Sequence, residues 1–83
     1  MSDSEIYAFL QDVLRETFEK DDLLIRPDLT ARDVVGWDSF KQVEITLALE
    51  EKYGIRIRTR ELNNVADVGE LVKLVQQKVV AKG

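Results

Sequence analysis

The residues whose types and spacing best suit a chemical role in this sequence are Asp38, Ser39 and Phe40. They follow a turn-like Gly36-Trp37 and open an unbroken helical pattern. The chain has no histidine and no cysteine, so it lacks the usual general base near neutral pH and any thiolate. A serine at a helix start, without a base to activate it, indicates a hydroxyl to which another protein attaches a group. The alternative is a serine that only starts the helix.

The composition limits the remaining possibilities. With 83 residues the chain is one domain at most, spanning 1–83, and without histidine or cysteine a Ser-His-Asp or zinc enzyme is excluded. Residues 1–40 carry ten acidic and four basic side chains, a balance of −6, whereas residues 41–83 carry six acidic and eight basic, a balance of +2. The acidic front half argues against nucleic acid and favours basic partners, although it can also serve solubility alone.

No apolar stretch of the sequence is long enough to span a bilayer, and residues 1–5 lack the basic-then-apolar pattern of a signal peptide. The polar face of the first predicted helix is acidic and would be repelled by anionic lipids. We therefore expect a cytoplasmic protein that does not insert into membranes.

Helices must position the serine, and the first two are separated by a long loop. Apolar residues at helical spacing predict helix one over about residues 4–19, with Asp3 or Ser4 as its cap. The second helix begins at Asp38, whose carboxylate caps the first turn, and runs through Tyr53 to stop at Gly54. Residues 20–37 form an ordered crossover that apolar side chains pin onto the core: Leu23, Leu24, Ile25, Leu29, Val34 and Val35.

The last third of the chain predicts one short and one longer helix. Residues 55–58 alternate like a strand but are too short, so we expect an extended connector. Thr59 caps a short turn over residues 60–63, and Asp67 with Glu70 has capping-box spacing for a helix to about Val80. The fold class is therefore all-α, a small four-helix bundle with three longer helices and one short helix.

Helix two has a narrow arc expected to be exposed and a wide apolar arc. The wide arc either packs against several helices, which is the expected case, or partly lines a pocket for an apolar guest. Trp37 either belongs to the core or shapes the mouth of such a pocket. The narrow arc holds Lys41, Glu44, Ala48, Glu51 and Lys52, and the wide arc holds Phe40, Val43, Ile45, Leu47, Leu49 and Tyr53.

Three runs together resemble the acyl carrier protein family over essentially the whole chain: residues 36–40 (GWDSF), 43–45 (VEI) and 47–55 (LALEEKYGI). The resemblance implies that Ser39 accepts a 4'-phosphopantetheine arm from coenzyme A. A separate phosphopantetheinyl transferase, with its own magnesium ion, would attach it. The arm's thiol would hold an acyl or aminoacyl group as a thioester, so the chain itself would be a carrier and not an enzyme. Asp38 would help the transferase recognise the site.

The resemblance also implies a partner-binding surface for acyl-loading and acyl-processing enzymes. Lys41 stands where primary fatty-acid carriers usually have an acidic residue, and Arg56, Arg58 and Arg60 form an unusual basic cluster. These departures favour a monomeric carrier in a specialised lipid or secondary-metabolite pathway. The alternatives are a primary fatty-acid carrier and an unmodified carrier-like interaction module. The partner-binding residues would be Phe40, Lys41, Glu44, Ala48, Glu50 and Glu51.

Overall fold

The computed structural model describes residues 3–82, and these form an all-α fold. The helices are α1 (Asp3–Thr17), α2 (Ser39–Tyr53), α3 (Thr59–Asn63) and α4 (Val68–Lys82), with a 3-10 turn at Ala31–Asp33 in the loop before α2. No strand occurs in this part of the chain. The predicted bundle of three longer helices and one short one is confirmed. Within the same residues, no helix is both long enough and apolar enough to cross a membrane.

The core lies where α1 contacts both α2 and α4. α1 runs antiparallel to α2. At one end of this helix pair, Lys41 Nζ lies 3.4 Å from the carbonyl oxygen of Thr17. At the other end the rings of Phe9 and Tyr53 meet edge to face, with centroids 5.8 Å apart. The seven side chains buried most completely come from all three long helices: Ile6, Leu10, Leu14, Ile45, Leu49, Val72 and Val75.

α1 is shorter at its C-terminus than its apolar pattern predicted. It ends at Thr17 because Glu19 adopts a left-handed backbone conformation, with φ 53°. The Lys20 amide donates to the Arg15 carbonyl at 2.9 Å and the Glu19 amide to the Glu16 carbonyl at 3.3 Å. This bond pair is the Schellman motif, in which glycine is the usual left-handed residue. A glutamate there gives no sequence signal. At the other end, Asp3 and Ser4 both lie inside the helix, so neither of the two predicted caps precedes it.

Hydrogen bonds hold the loop between α1 and α2 at several points. Gln11 Oε1 accepts from the Ile25 amide at 2.9 Å, and the carbonyls of Pro27 and Leu29 accept from the first amides of α4 at 2.8 and 2.9 Å. Leu29 and Val34 are buried as predicted.

The expectation that every apolar residue of this loop faces the core is wrong for two of them. Leu24 is 70% exposed and Val35 is 81% exposed. Backbone hydrogen bonds already fix this segment, so these side chains are not needed to anchor it.

α3 begins one residue earlier than predicted. Thr59 is its first helical residue rather than its cap, and Arg58 precedes it with extended backbone. The Arg58 amide donates to Glu61 Oε1 at 2.9 Å, so this backbone N–H has a hydrogen-bond partner where the helix starts.

α4 has the predicted acidic pair at its start and is two residues longer than predicted. Asp67 Oδ1 accepts from the Glu70 amide at 2.9 Å, while Glu70 Oε2 accepts from the Ala66 amide at 2.6 Å, not from that of Asp67. The helix continues to Lys82, whose ammonium donates to the Tyr53 carbonyl at 3.1 Å and so ties the end of α4 to the end of α2.

Candidate functional site

The start of α2 presents Ser39 at the protein surface. Asp38 has extended backbone, with φ −126° and ψ −173°, and its Oδ1 accepts from the Lys41 amide at 2.9 Å. Asp38 is therefore the N-cap, and its charge complements the positive end of the helix dipole. Ser39 is the first helical residue and is exposed. An external protein can reach it.

The turn before the helix depends on Gly36. Its φ of +90° lies in the region where a side chain would be strained, and nothing else lies within 4 Å of the position a Cβ would take. The Trp37 amide donates to the Val34 carbonyl at 3.3 Å and closes this turn. The chain thus reverses just before the serine, and the predicted turn at Gly36 and Trp37 is present.

Ser39 lies on the wall of an open cleft of 460 Å³ between α2 and α3. Val43 lies one turn further along α2, and Trp37 borders the cleft on the loop side. The side formed by α3 consists of Thr59, Leu62 and Asn63, which present a hydroxyl, an apolar side chain and an amide. A group attached to the serine would therefore have mixed apolar and polar surroundings.

Trp37 packs against the core, which was one of its two predicted roles, and it also borders the cleft. The indole is half-buried and lies against Phe18, with ring centroids 5.5 Å apart. Its Nε1 donates to Gln42 Oε1 at 2.6 Å. On the inner side the indole bounds a small cavity of 50 Å³, together with Leu29 and Leu71.

Half of the wide apolar arc of α2 is exposed, contrary to the packing expected for it. The buried members are Ile45, Leu49 and Tyr53, while Phe40 is 69%, Val43 55% and Leu47 57% exposed. α2 therefore carries a stripe of large apolar side chains on its outer surface. A helical wheel gives the angle between residues, but it does not say which apolar direction faces the neighbouring helices.

The narrow arc, expected to be exposed, faces α1 along one edge. Lys41 and Ala48 are half-buried, and the lysine ammonium lies 3.8 Å from Glu44 Oε2 as well as against the end of α1. Glu44 and Glu51 are exposed as expected.

Glu50 has a clear structural contact. Its Oε2 accepts from the Ile57 amide at 2.7 Å and so holds the connector that follows α2. The six residues predicted to bind partners are thus split between the outer surface, the edge beside α1 and the end of the helix.

The basic cluster lies on the connector after α2 and at the start of α3. Arg56, Arg58 and Arg60 are exposed, and none of them forms a salt bridge with a carboxylate among residues 3–82. α3 itself is anchored by Glu61, which forms a salt bridge of 2.9 Å with Lys78 on α4. The backbone N–H of Arg58 and then the Lys78 ammonium lower the pKa of Glu61.

Gln42 is the residue of this site that the sequence did not reveal. It lines both the cleft and the inner cavity and accepts the indole N–H. A neutral amide inside a helix has no distinctive pattern. The one available signal was Trp37, because a buried indole N–H usually finds an acceptor.

Comparisons with known proteins agree with this geometry. A family model described as "Phosphopantetheine attachment site" matches residues 8–75. An acyl carrier protein of Helicobacter pylori (strain ATCC 700392 / 26695) is 29% identical over 76 residues, covering 92% of this chain and 97% of the relative. One of Acidothermus cellulolyticus is 30% identical over 81 residues, covering 98% and 96%. The solution NMR structure of a holo acyl carrier protein from Geobacter metallireducens is similar, with TM-score 0.84, 29% identity and coverage of 92% and 87%.

Proposed function

This chain belongs to the acyl carrier protein family, and from that premise we propose that Ser39 is the residue to which its 4'-phosphopantetheine arm is attached. Acyl carrier proteins are non-catalytic. Phosphopantetheinyl transferases modify them, and acyl-processing enzymes act on their cargo. The observation that supports the assignment is the position of Ser39, exposed as the first residue of α2 beside an open cleft.

The surroundings of Ser39 suit a phosphodiester. The backbone donors and the dipole at the start of a helix favour phosphate. α2 has 15 residues and a capped N-terminus, so this end is fixed in place. The cleft beside the serine leaves room for an attached chain. When bound, the arm supplies a terminal thiol that holds an acyl or aminoacyl group as a thioester.

The attachment needs no base from this chain. Ser39 Oγ forms a bond to the pantetheine-bearing phosphorus of coenzyme A, and the phosphoanhydride P–O bond to that phosphorus breaks. The nucleotide leaves as adenosine 3',5'-bisphosphate, and the hydroxyl proton passes to the transferase or to water. This division of labour fits a chain that has no histidine and no cysteine. Asp38 caps the first turn, which holds the backbone of Ser39 in the helix.

We further propose that partners dock on the α2 surface, defined as Phe40, Val43, Glu44, Leu47 and Glu51, all of which are exposed. Its apolar stripe flanked by carboxylates suits a partner with an apolar patch and a basic rim. Lys41 and Ala48 border this surface on the side of α1, and Glu50 supports it by holding the connector.

The partners and cargo we propose are those of a specialised pathway, not of primary fatty-acid synthesis. The support is the exposed cluster of Arg56, Arg58 and Arg60 on the connector after α2 and at the start of α3. Charged residues at the edge of an interface change association rates and repel partners of like charge. This cluster therefore disfavours partners whose basic surface extends to α3. The test is the native load, measured by mass spectrometry on protein isolated from its own cells. A saturated fatty-acyl chain as the main load would contradict the specialised role.

The attachment site is tested by intact-mass measurement. The protein is incubated with coenzyme A and a promiscuous phosphopantetheinyl transferase. We expect the mass to rise by one arm, Ser39→Ala to abolish the rise, and Ser4→Ala, which removes an exposed serine on α1, to leave it unchanged. An unmodified wild-type protein, under conditions that modify a control carrier, would contradict the proposal and favour an interaction module that carries no arm.

The α2 surface is tested by the rate of the same transfer reaction. Phe40→Ala and Leu47→Ala should slow arm transfer without lowering the melting temperature, because both side chains are largely exposed. Leu24→Ala is the matched control, since Leu24 is 70% exposed but lies in the loop. If all three variants and wild type react at equal rates, Phe40 and Leu47 do not contact the transferase.

A further inference from the structure

Two cavities of different size share one wall beside Ser39. The outer cleft has a volume of 460 Å³ and contains the serine. The inner cavity has a volume of 50 Å³ and lies toward the core, bordered by Leu29, Val68 and Leu71. Ala31, Trp37 and Gln42 line both. Trp37 is by far the largest of these three, so its indole is the main barrier between the two spaces.

The barrier is fixed in place by contacts on two sides. Nε1 donates to Gln42 Oε1 at 2.6 Å, which satisfies the only polar atom of the indole. The ring lies against Phe18, with centroids 5.5 Å apart. Moving the indole out of the way would break the hydrogen bond and expose aromatic surface.

The inner cavity is too small for a long alkyl chain while Trp37 stays in this position. A cavity of about 150 Å³ in another protein admits a benzene molecule. The cavity here is 50 Å³, about a third of that size. Pushing further methylene groups into a well-packed core is destabilising. The outer cleft has the larger volume, and its α3 side offers the Thr59 hydroxyl and the Asn63 amide.

We propose that Trp37 is a specificity-determining residue, which closes the interior to long alkyl chains and keeps the acyl or aminoacyl group in the outer cleft. This inference rests on the proposed attachment of the arm to Ser39. Gln42 acts through Trp37 as the positioning residue that holds the indole across the opening.

The test loads wild-type protein with either an acetyl or an octanoyl arm, using acetyl- or octanoyl-coenzyme A and a promiscuous transferase. Intact mass verifies one arm in each case. The rates at which hydroxylamine cleaves the two thioesters, each divided by the rate for the same acyl-coenzyme A, should be equal.

Variants of the barrier should change this result. In Trp37→Ala the two cavities join, and we expect the octanoyl thioester to be cleaved several-fold more slowly than the acetyl thioester. Gln42→Leu keeps the indole but removes its acceptor, so the octanoyl thioester should again be cleaved more slowly than the acetyl thioester. Val35→Ala is the control, since Val35 is 81% exposed and lines neither cavity.

Each outcome bears on a different claim. If no arm is added, the attachment proposal fails and this inference fails with it. If wild type is loaded but its octanoyl thioester is protected, the barrier is overturned while attachment stands. If neither Trp37→Ala nor Gln42→Leu protects the octanoyl group, the barrier is likewise overturned. Should Trp37→Ala lose its helical circular dichroism, Gln42→Leu decides.

Discussion

Asp38 has two proposed roles, and substitutions can separate them. Its carboxylate caps α2 by accepting from the Lys41 amide at 2.9 Å, and it lies next to the serine that a transferase must recognise. Asp38→Ala removes both the hydrogen bond and the charge. Asp38→Asn removes the charge but keeps an oxygen that can accept the same hydrogen bond, because asparagine is an equally good N-cap.

The expected losses of stability follow from this geometry. Replacing an N-cap by alanine costs about 1 kcal/mol, within a range of roughly 0.5–2 kcal/mol. Because Asp38 is exposed, water can satisfy the freed Lys41 amide and no burial penalty is added. In a domain of this size, about 1 kcal/mol lowers the melting temperature by roughly 4–8 °C. Asp38→Asn loses only the interaction of the charge with the helix dipole, about 0.3–1 kcal/mol.

The assay compares thermal melting with the initial rate of arm transfer for both variants. We expect Asp38→Asn to melt closer to wild type than Asp38→Ala, while both are modified more slowly than wild type. Asp22→Ala is the control, because it removes an exposed carboxylate from a turn outside the helix. Equal melting of the two Asp38 variants would refute the cap, and unchanged transfer rates would refute recognition through the charge.

Three further predictions concern the core, pH and partner choice. Leu49→Ala, at a fully buried position, should cost about 2–5 kcal/mol in denaturant unfolding, whereas Leu47→Ala on the same helix should change stability by less than about 0.5 kcal/mol. The pKa of Glu61 is lowered from its ordinary 4.5 by the Arg58 N–H and by Lys78. The charged Glu61 carboxylate therefore stabilises the fold above pH 4.5, and this stabilisation is lost as the pH falls through the folded-state pKa. In unfolding curves measured below pH 4.5, the difference in stability between wild type and Glu61→Gln should therefore shrink. Lys41→Glu should change the rate of arm transfer more than the melting temperature, since its contacts with Thr17 and Glu44 are long; a melting collapse with an unchanged rate would contradict this.

The bounds of α2 could be predicted from the sequence because local chemistry sets both ends. Asp38 supplies a cap oxygen, and Gly54 takes the left-handed conformation, with φ 62°, that ends the helix. α1 shows the opposite case. Its end depends on Glu19 at φ 53°, a conformation that glutamate rarely adopts and that the residue type therefore does not predict. Local signals therefore fix a boundary only where a cap or a glycine is present.

The environment of the helix faces could not be predicted in the same way. Leu47 and Leu49 are both apolar, yet one is 57% exposed and the other is fully buried. Hydrophobic periodicity shows that a helix has apolar directions, but only the placement of α1 and α4 decides which of them is covered. Lys41 illustrates the same limit, because α1 half-covers a side chain that its charge marked as a surface residue.

The barrier formed by Trp37 and Gln42 also needed the structure. The sequence placed the tryptophan beside the serine and left open whether it joined the core or shaped a pocket. The hydrogen bond to Gln42 and the contact with Phe18 explain why it does both. These contacts join the helix start to the end of α1, and such pairings depend on the crossover of the chain.

The most direct test of arm attachment at Ser39 is fragment-ion mass spectrometry of the protein after reaction with coenzyme A and transferase. The chain has three serines, at positions 2, 4 and 39, so the modified position can be assigned without ambiguity. Attachment at Ser39 predicts that every fragment containing that residue, and no fragment lacking it, carries the mass of the arm. An arm located on Ser2, on Ser4 or on any threonine would contradict the account.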